Sequence, residues 1–253
     1  MYKSYQQVIN QQLTLSPEEW TFKGNRIYNG ILEHVTPDLG NKYLKFIQDK
    51  YKTFFEENLD FLKSVCKLND KYGKTNQSNF KNFINCSPSN LRYILHSILI
   101  LEEIKKYNLK EIDIIEIGGG YGGLCLFIHK LSQFYNININ SYSIFDLVEA
   151  SQLQKKYLNA HDIDVNVCQI NNFDNLKTNS FLISNYAFSE IELSLQKEYT
   201  EKILNPYTSY GFLVWNFIEL YDFVSDSKIQ KEPEYPNTNF NGTNYYVRYH
   251  KKS

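Results

Sequence analysis

The feature that most constrains this chain is a glycine-rich run, EIGGGYGG at positions 116–123, at the end of an apolar run that begins at residue 112. Residues 124–131 (LCLFIHKL) then return apolar side chains at helical spacing. Glycines between a strand and a helix let the backbone approach a ligand whose charge faces the helix N-terminus. The run therefore predicts a ligand site at the end of a β-strand. A glycine-rich turn that holds no ligand is the alternative.

Two ligand templates fit these glycines. Gly118, Gly120 and Gly123 satisfy G-x-G-x-x-G, the dinucleotide fingerprint. Glu116 with Gly118, Gly120 and Gly122 satisfies acidic-x-G-x-G-x-G, which is typical of proteins that bind S-adenosylmethionine (SAM). A carboxylate at position 116 is a poor neighbour for the pyrophosphate of a dinucleotide, but it stabilises the sulfonium and ammonium of SAM. The charge favours SAM, and a dinucleotide stays as the alternative.

The second half of the chain alternates apolar runs with helical patterns. Further strands are predicted at 141–145, 164–170, 181–184 and 211–217, and helices at 149–159, 196–204 and 221–228. Such alternation is typical of a parallel sheet with helices on both faces. Asn241-Gly242, between runs at 238–240 and 243–249, predicts a hairpin that adds antiparallel edge strands. The predicted fold class is α/β, with a doubly wound, mostly parallel, Rossmann-like sheet.

The first part of the chain has a different pattern. Residues 1–110 are polar and helical in spacing, with helices predicted at 42–69 and 90–107 and a loop at 71–79. Since every predicted cofactor turn lies downstream, we divide the chain into a helical N-terminal cap at 1–110, acting as a lid over the acceptor, and a cofactor-binding domain at 111–253.

Composition excludes several classes of function. Lys and Arg total 27 against 28 Asp and Glu, a net charge of −1, whereas nucleic acids and anionic membranes attract an excess of positive charge. No apolar run approaches the roughly 20 residues of a membrane span, and the N-terminus has no apolar signal region. The four cysteines lie far apart without a CxxC pair, so we expect reduced thiols, no metal site and a cytoplasmic location.

Polar side chains follow the other predicted strands. Asp146 ends the second strand, where a carboxylate can bind both ribose hydroxyls, although a helix cap is the alternative. Phe173 follows the third strand, where an adenine would lie, and a plain loop is an equal alternative. Asn185 and Tyr186 follow the fourth strand, at the sheet edge that faces a bound ligand.

Several segments together resemble a family of sugar O-methyltransferases, SAM-dependent class I proteins found among surface-polysaccharide genes. The segments are EIGGGYGG (116–123), YSIFDLVEASQLQKKYL (142–158), SNYAFSEI (184–191), SNLRYILHSILIL (89–101) and ILEHVTPDLGNKYL (31–44). The sequence departs from the family pattern at Val148, where a proline is expected. The resemblance implies a class I methyltransferase fold, SAM as cofactor, and a small sugar, nucleotide sugar or glycan as acceptor.

The resemblance also implies roles for individual residues. Glu116, Gly118, Gly120 and Gly122 would form the cofactor turn and Asp146 would bind the ribose. Asn185 and Tyr186 would lie beside the sulfonium.

Methyl transfer to a sugar hydroxyl needs a group that removes the proton of the acceptor. Glu190 follows the fourth strand within reach of the methyl group and is the first candidate for this base. His96 and His34 are the next candidates. Arg92, one helical turn before His96, is positioned to hold the cofactor's carboxylate or a phosphate on the sugar. We expect a metal-free mechanism.

Aromatic and amide side chains suit a sugar site, and the candidate walls are Trp20, Trp215-Asn216 and Tyr245-Tyr246.

Three other functions are weighed against this one. An NAD(P)-dependent nucleotide-sugar oxidoreductase or epimerase of the short-chain type would carry a YxxxK pair, which the sequence does not show. A nucleic-acid amine methyltransferase would favour a Pro-Pro-aromatic turn where this chain has Asn185-Tyr186-Ala187. A non-catalytic SAM-binding protein stays open.

Overall fold

The computed structural model describes residues 2–32, 34–239 and 241–252. Up to residue 106 the described chain is mainly helical. Its elements are α1 (Tyr2–Leu13), α2 (Arg26–Asn29), α3 (Pro37–Lys50), α4 (Lys52–Glu57), α5 (Leu59–Asp70), β1 (Ser78–Asn79), β2 (Asn85–Cys86) and α6 (Pro88–Lys106). Two short 3₁₀ turns, Pro17–Glu19 and Phe22–Gly24, link α1 to α2. The predicted helix at 42–69 is thus three helices, and the predicted loop at 71–79 ends in the short strand β1.

The rest of the chain builds a seven-stranded sheet from its described residues. The strands are β3 (Glu111–Ile117), β4 (Asn138–Phe145), β5 (Asn166–Cys168), β6 (Ser180–Asn185), β7 (Thr208–Trp215), β8 (Ser227–Pro233) and β9 (Tyr245–Lys251). The helices are α7 (Gly123–Leu131), α8 (Val148–Asn159), α9 (Ala187–Glu190), α10 (Leu193–Tyr199) and α11 (Asn205–Tyr207), with a 3₁₀ turn at Ser132–Tyr135 and a π-helical turn at Thr200–Leu204.

The order of the sheet is β5-β4-β3-β6-β7-β9-β8. β3 to β7 are parallel, and β9 is antiparallel to both of its neighbours. The predicted fold class is confirmed: the sheet is mostly parallel, doubly wound and Rossmann-like. The direction of winding reverses between β3 and β6, and ligands of such sheets bind at that switch point.

Alternating side chains of β3 feed two apolar clusters on opposite faces of the sheet. Ile112 and Ile114 belong to a large cluster that includes the N-terminal helices, whereas Ile115 and Ile117 belong to a smaller cluster. Helix α6 lies inside the large cluster, against α3 and α7. The same core therefore extends across residue 110. None of the described helices has the length and apolarity needed to cross a bilayer.

The structure corrects two predictions near the C-terminus. The predicted helix at 221–228 is wrong: Phe223 and Val224 are buried in the smaller cluster, and β8 begins at Ser227. The predicted hairpin is wrong in its strands, because β8 and β9 are joined by residues 234–244, which contain Asn241-Gly242 within a long loop. Phe240, in the predicted first strand, lies outside the described residues. The expectation of antiparallel strands at this edge is confirmed.

Candidate active site

A cavity of about 840 Å³ lies at the carboxyl ends of β3, β4 and β6, at the switch point of the sheet. Its volume is within the range of small-molecule sites. Most of the residues that the sequence singles out line it, namely His34, Arg92, Glu116, Gly118, Gly120, Asp146, Asn185, Tyr186 and Glu190. The fold therefore brings together segments that are up to 156 positions apart, from His34 to Glu190.

The glycine turn closes the cavity beneath β3. Gly118 has φ +78°, and a Cβ built on it would lie 2.0 Å from the Cβ of Ala187. Gly120 has φ +59°, but a Cβ there would meet nothing nearer than Leu32, at 3.6 Å. Position 118 requires glycine for both space and backbone conformation, whereas position 120 requires it for conformation alone.

Two carboxyl groups face this end of the cavity. Burial raises the pKa of Glu116 to about 7, although a hydrogen bond from the Tyr142 hydroxyl at 2.9 Å opposes the shift. Burial likewise raises the pKa of Asp146 to about 6 against bonds from the Leu147 amide and from Gln154 Nε2, both 2.8 Å. In the described part of the chain neither group forms an ion pair. A cation that entered here would meet two carboxyl groups that it can stabilise.

Asn185 presents an amide to the cavity at the end of β6. Its Nδ2 lies 2.9 Å from Nδ1 of His96, and its buried Oδ1 has no hydrogen-bond partner among the described residues. His96 is fully buried between the rings of Tyr43 and Tyr246. Burial, with the charge of Arg92, lowers the pKa of His96 to about 3, so its ring is neutral at physiological pH. The imidazole therefore orients Asn185 from behind.

Tyr186, the next residue, has φ +67°, which is unusual for a non-glycine residue. Its hydroxyl donates to the buried carboxyl of Glu234. Glu234 also accepts hydrogen bonds from the Thr238 amide (3.1 Å), the Thr238 hydroxyl (2.9 Å) and Asn244 Nδ2 (3.0 Å). This carboxyl group thus ties the strained turn after β6 to the loop at 234–244.

A further set of residues that line the cavity is called the amide wall, because four of its five members carry an amide. They are Asn216, Thr238, Asn239, Asn241 and Asn244. Glu190 is exposed beside this wall, and Asn216 Nδ2 donates to its Oε1 at 2.6 Å. Glu192 lines the same side.

The N-terminal part of the chain contributes a buried basic side chain, Arg92, to the cavity lining. The guanidinium of Arg92 donates to the carbonyl of Leu32 at 3.1 Å and lies 6.0 Å from the centre of the Tyr186 ring. His34 is exposed at the same side of the cavity.

Three predicted site residues do not line the cavity. Gly122 has φ +97° and packs against Leu158, so it shapes the turn. Phe173 packs edge-on against Phe145, at 5.6 Å between ring centres, instead of facing the cavity. His96 lies behind Asn185, as described above.

Of the predicted aromatic walls, Trp20 and Trp215 are both buried in the apolar core. The cavity lining includes Asn216 but neither Tyr245 nor Tyr246.

Sequence reasoning missed several residues of the site. Leu147, Gln169 and Ile170 line the cavity beside Asp146, and Gln154 links Asp146 to the carbonyl of Gly120 at 2.8 Å. Leu147 and Ile170 could have been predicted from the sequence, because Leu147 lies two residues after one predicted strand and Ile170 is the last residue of another. Glu234 gave no such signal, because it lies in a polar stretch that reads as an ordinary loop.

Within the described ranges, no group of three or more His, Cys, Asp or Glu side chains is arranged to hold a metal ion.

Comparisons with known proteins find solved structures that resemble this chain in part, but no matching sequence. No protein-family model matches the chain, and no curated protein sequence matches it. A candidate SAM-dependent methyltransferase from Methanococcus maripaludis superposes with a TM-score of 0.46 at 11% identity, over 63% of this chain and 86% of that one. A SAM-dependent methyltransferase from Aquifex aeolicus gives 0.41 at 14%, over 61% and 93%. The plantazolicin methyltransferase BpumL, solved with S-adenosylhomocysteine, gives 0.41 at 12%, over 79% and 100%.

At these TM-scores and identities the likenesses carry no argument about ligand or activity. What the chain shares with such proteins is the doubly wound sheet, which its own strand order already establishes.

Proposed function

We propose that this protein is a SAM-dependent O-methyltransferase that acts on a hydroxyl of a sugar. The observation that carries the proposal is the pair of carboxyl groups, buried Glu116 and half-buried Asp146, beside a glycine turn at the switch point of the sheet. Asp146 suits the ribose of any nucleotide, but Glu116 would repel a pyrophosphate and would stabilise the sulfonium and ammonium of SAM.

The residues at this end of the cavity fit SAM. Asp146 is placed to accept hydrogen bonds from both ribose hydroxyls, with Gln154 and the Leu147 amide holding its carboxyl group in position. Leu147 and Ile170 offer apolar surface beside it for a base. Asn185 Oδ1 offers an acceptor for the ammonium, and the guanidinium of Arg92 a positive charge for the carboxylate. When bound, SAM supplies a methyl group on a sulfonium sulfur, which a hydroxyl oxygen displaces in line.

The acceptor end of the cavity supports a sugar. Amide side chains supply both donors and acceptors, as neighbouring hydroxyls require, and the amide wall concentrates them on one side. The sequence resemblance adds the context of a surface, capsular-type polysaccharide, and we propose that the sugar is destined for such a polymer or already part of it.

We assign the removal of the acceptor's proton to Glu190. Its carboxyl group lies at the cavity surface, and Asn216 fixes one of its oxygens at 2.6 Å, which leaves the other for a hydroxyl. His34 is the second candidate. His96, buried and neutral behind Asn185, fits a positioning role better than that of a base.

The N-terminal residues 1–110 are proposed as the cover of the acceptor, because Tyr5, Ile31, Leu32, His34 and Arg92 line the cavity from that side. The four cysteines are unpaired and buried, which suits the proposed cytoplasmic location.

Calorimetric titration tests the cofactor. S-adenosylhomocysteine (SAH), NAD and NADP are titrated in parallel into the wild-type protein and into Asp146→Asn. We expect micromolar binding of SAH alone, weakened roughly 10- to 100-fold in the variant, since a hydrogen bond to a charged group contributes about 1.5–3 kcal/mol. Asp174→Asn, the same change at an exposed position outside the cavity, is the matched control and should leave SAH affinity unchanged. Binding of NAD without SAH would overturn the proposal.

A further inference from the structure

The charges around the cavity show a strong asymmetry. Although lysine is common in this chain, no lysine occurs among the described residues that line the cavity. Acidic side chains line it at both ends: Glu116 and Asp146 at the glycine turn, Glu190 and Glu192 at the acceptor end. A cavity that received a phosphorylated acceptor would need the opposite balance, because phosphates are held by Arg, Lys or the N-terminus of a helix.

The few basic groups are on the cofactor side or exposed. Arg92 donates to the Leu32 carbonyl and lies over the Tyr186 ring, where the proposed function uses it for the carboxylate of SAM. The N-terminus of α7 follows the glycine turn and faces the cofactor as well. His34 is the remaining basic side chain of the described lining, and it is exposed.

The amide wall is backed by a further carboxyl group. Glu234 is 2% exposed, and its carboxyl oxygens accept hydrogen bonds from Tyr186, Thr238 and Asn244. Its donors include Thr238 and Asn244, which themselves line the cavity. The surface offered to the acceptor is therefore neutral amides backed by a carboxyl group.

We propose that the acceptor enters this site as an uncharged glycoside or glycan, and not as a nucleoside diphosphate sugar. This inference rests on the proposed function and deepens it. Amides bind the neutral hydroxyls of a sugar, and the carboxyl groups at both ends repel a diphosphate. The methylation step would then follow the reaction that transfers the sugar out of its nucleotide-activated form.

Two measurements test the proposal. In the first, tritium-labelled SAM is incubated with a panel of hexoses, deoxyhexoses and heptoses, each supplied both as the methyl glycoside and as the nucleoside diphosphate sugar. We expect label in the uncharged form of an accepted sugar and little in its charged form. Faster labelling of the nucleotide sugar would overturn the proposal.

In the second, uridine diphosphate is titrated calorimetrically into SAH-saturated and SAH-free protein. We expect no binding even at millimolar concentration in either state. Submillimolar binding to the SAH-saturated protein would overturn the inference if Glu192→Lys strengthens it and His34→Ala weakens it. Those two responses would show that the diphosphate lies at the acceptor end. This titration decides the matter even where no sugar of the panel takes up label.

A charge-reversed pair of variants makes the second measurement specific. Glu192→Lys is expected to give uridine diphosphate binding that the wild-type protein lacks at millimolar concentration, because it replaces a repelling charge at the acceptor end by an attracting one. Glu201→Lys makes the same change of net charge at an exposed position outside the cavity and should gain nothing. Equal gains in the two variants would mean that net charge alone acts, and the argument from the cavity would fail.

Failure of the proposed function gives a different result from failure of this inference. If wild-type protein binds no SAH, the cofactor assignment falls, while the diphosphate titration into SAH-free protein still reports on the charge of the cavity.

Discussion

The two ends of the cavity are built by different means. At the glycine turn, residues 116–123 and Asp146 are positioned by the ends of adjacent parallel strands, whose register fixes their backbone. Apart from Asn216, the amide wall belongs to the loop at 234–244, which has little regular structure and is held by side-chain bonds that converge on Glu234. The first end depends on backbone shape and the second on one buried carboxyl group. Substitutions at the two ends should therefore fail in different ways.

The largest loss of unfolding free energy is expected for Gly118→Ala, and Gly120→Ala is its comparison. Both residues have positive φ, which costs an L-residue about 1–2 kcal/mol. Only at 118 would the added methyl also lie 2.0 Å from Ala187, so we expect a loss of unfolding free energy of about 3 kcal/mol or more there and about 1 kcal/mol at 120. Chemical denaturation measures both.

Binding of SAH by the same two variants sharpens the comparison. The displaced turn in Gly118→Ala should weaken SAH by roughly 100-fold or more, equivalent to about 3 kcal/mol. Equal losses of SAH affinity at the two positions would show that the positive φ alone makes glycine necessary in this turn, and that the contact with Ala187 does not matter.

The next effect is expected at the other end, for Glu234→Gln. The substitution removes a buried charged acceptor from Tyr186, Thr238 and Asn244, and we expect a loss of unfolding free energy of about 2–4 kcal/mol. Because Glu234 does not line the cavity, SAH affinity should change by less than about threefold.

Glu232→Gln is the matched control for this variant. Glu232 is half-exposed and pairs with Arg248 at 2.9 Å on the neighbouring strand, away from the cavity, so we expect a loss below about 1 kcal/mol. If Glu234→Gln abolished SAH binding as Gly118→Ala should, the two ends would be one cooperative unit.

A smaller effect comes from the pH dependence of stability in the SAH-free protein. Burial raises the pKa of Glu116 from 4.5 to about 7, so the folded state holds this proton more tightly than the unfolded chain. The resulting stabilisation is complete below about pH 4.5 and is lost as the pH rises through 7, by at most about 3 kcal/mol. Glu116→Gln should remove the contribution of Glu116 and leave that of Asp146, whose pKa burial raises from 3.8 to about 6, whereas Glu111→Gln, exposed on the same strand, should keep both.

The affinity for SAH should change with pH in the opposite direction to the stability of the SAH-free protein. The ammonium of SAH favours the ionised carboxyl groups, so affinity should rise from pH 5 to pH 8 as Glu116 and Asp146, with pKa values of about 7 and 6, lose their protons. Titration in buffers of different ionisation enthalpy measures the protons released. Proton uptake on binding would contradict the proposed contact.

The sequence predicts the glycine-turn end well because its signals are local. An apolar run, a set of glycines and a carboxyl group after the next strand are each read within a few residues, and parallel pairing brings their ends together. Phe173 does not line the cavity. Strand β5 ends at Cys168, so Gln169 and Ile170, which follow it directly, line the cavity instead.

Of the amide wall, the sequence predicted only Asn216, since the geometry of the other members depends on contacts between distant residues. Glu234 meets Tyr186 across 48 positions, and no short pattern encodes that bond. Strand β8 is mostly exposed, so it lacks the alternation of apolar side chains by which strands are recognised. His96 shows the same limit: α6 is buried on nearly all sides, and helical spacing alone does not tell whether a histidine faces a cavity or the core.

The smallest effect on fold and cofactor is expected for Glu190→Gln, which separates chemistry from binding. Glu190 is exposed and accepts a hydrogen bond from Asn216, so unfolding free energy should change by less than about 0.5 kcal/mol and SAH affinity should stay constant. As the proposed base, however, its loss should slow methyl transfer from labelled SAM by roughly 100-fold or more. Glu192→Gln, from the same side of the cavity, is the control and should keep the rate within about threefold. Full activity in Glu190→Gln together with inactivity in His34→Ala would assign the removal of the proton to His34 in the N-terminal cover, with the hydroxyl oxygen still displacing the sulfur in line.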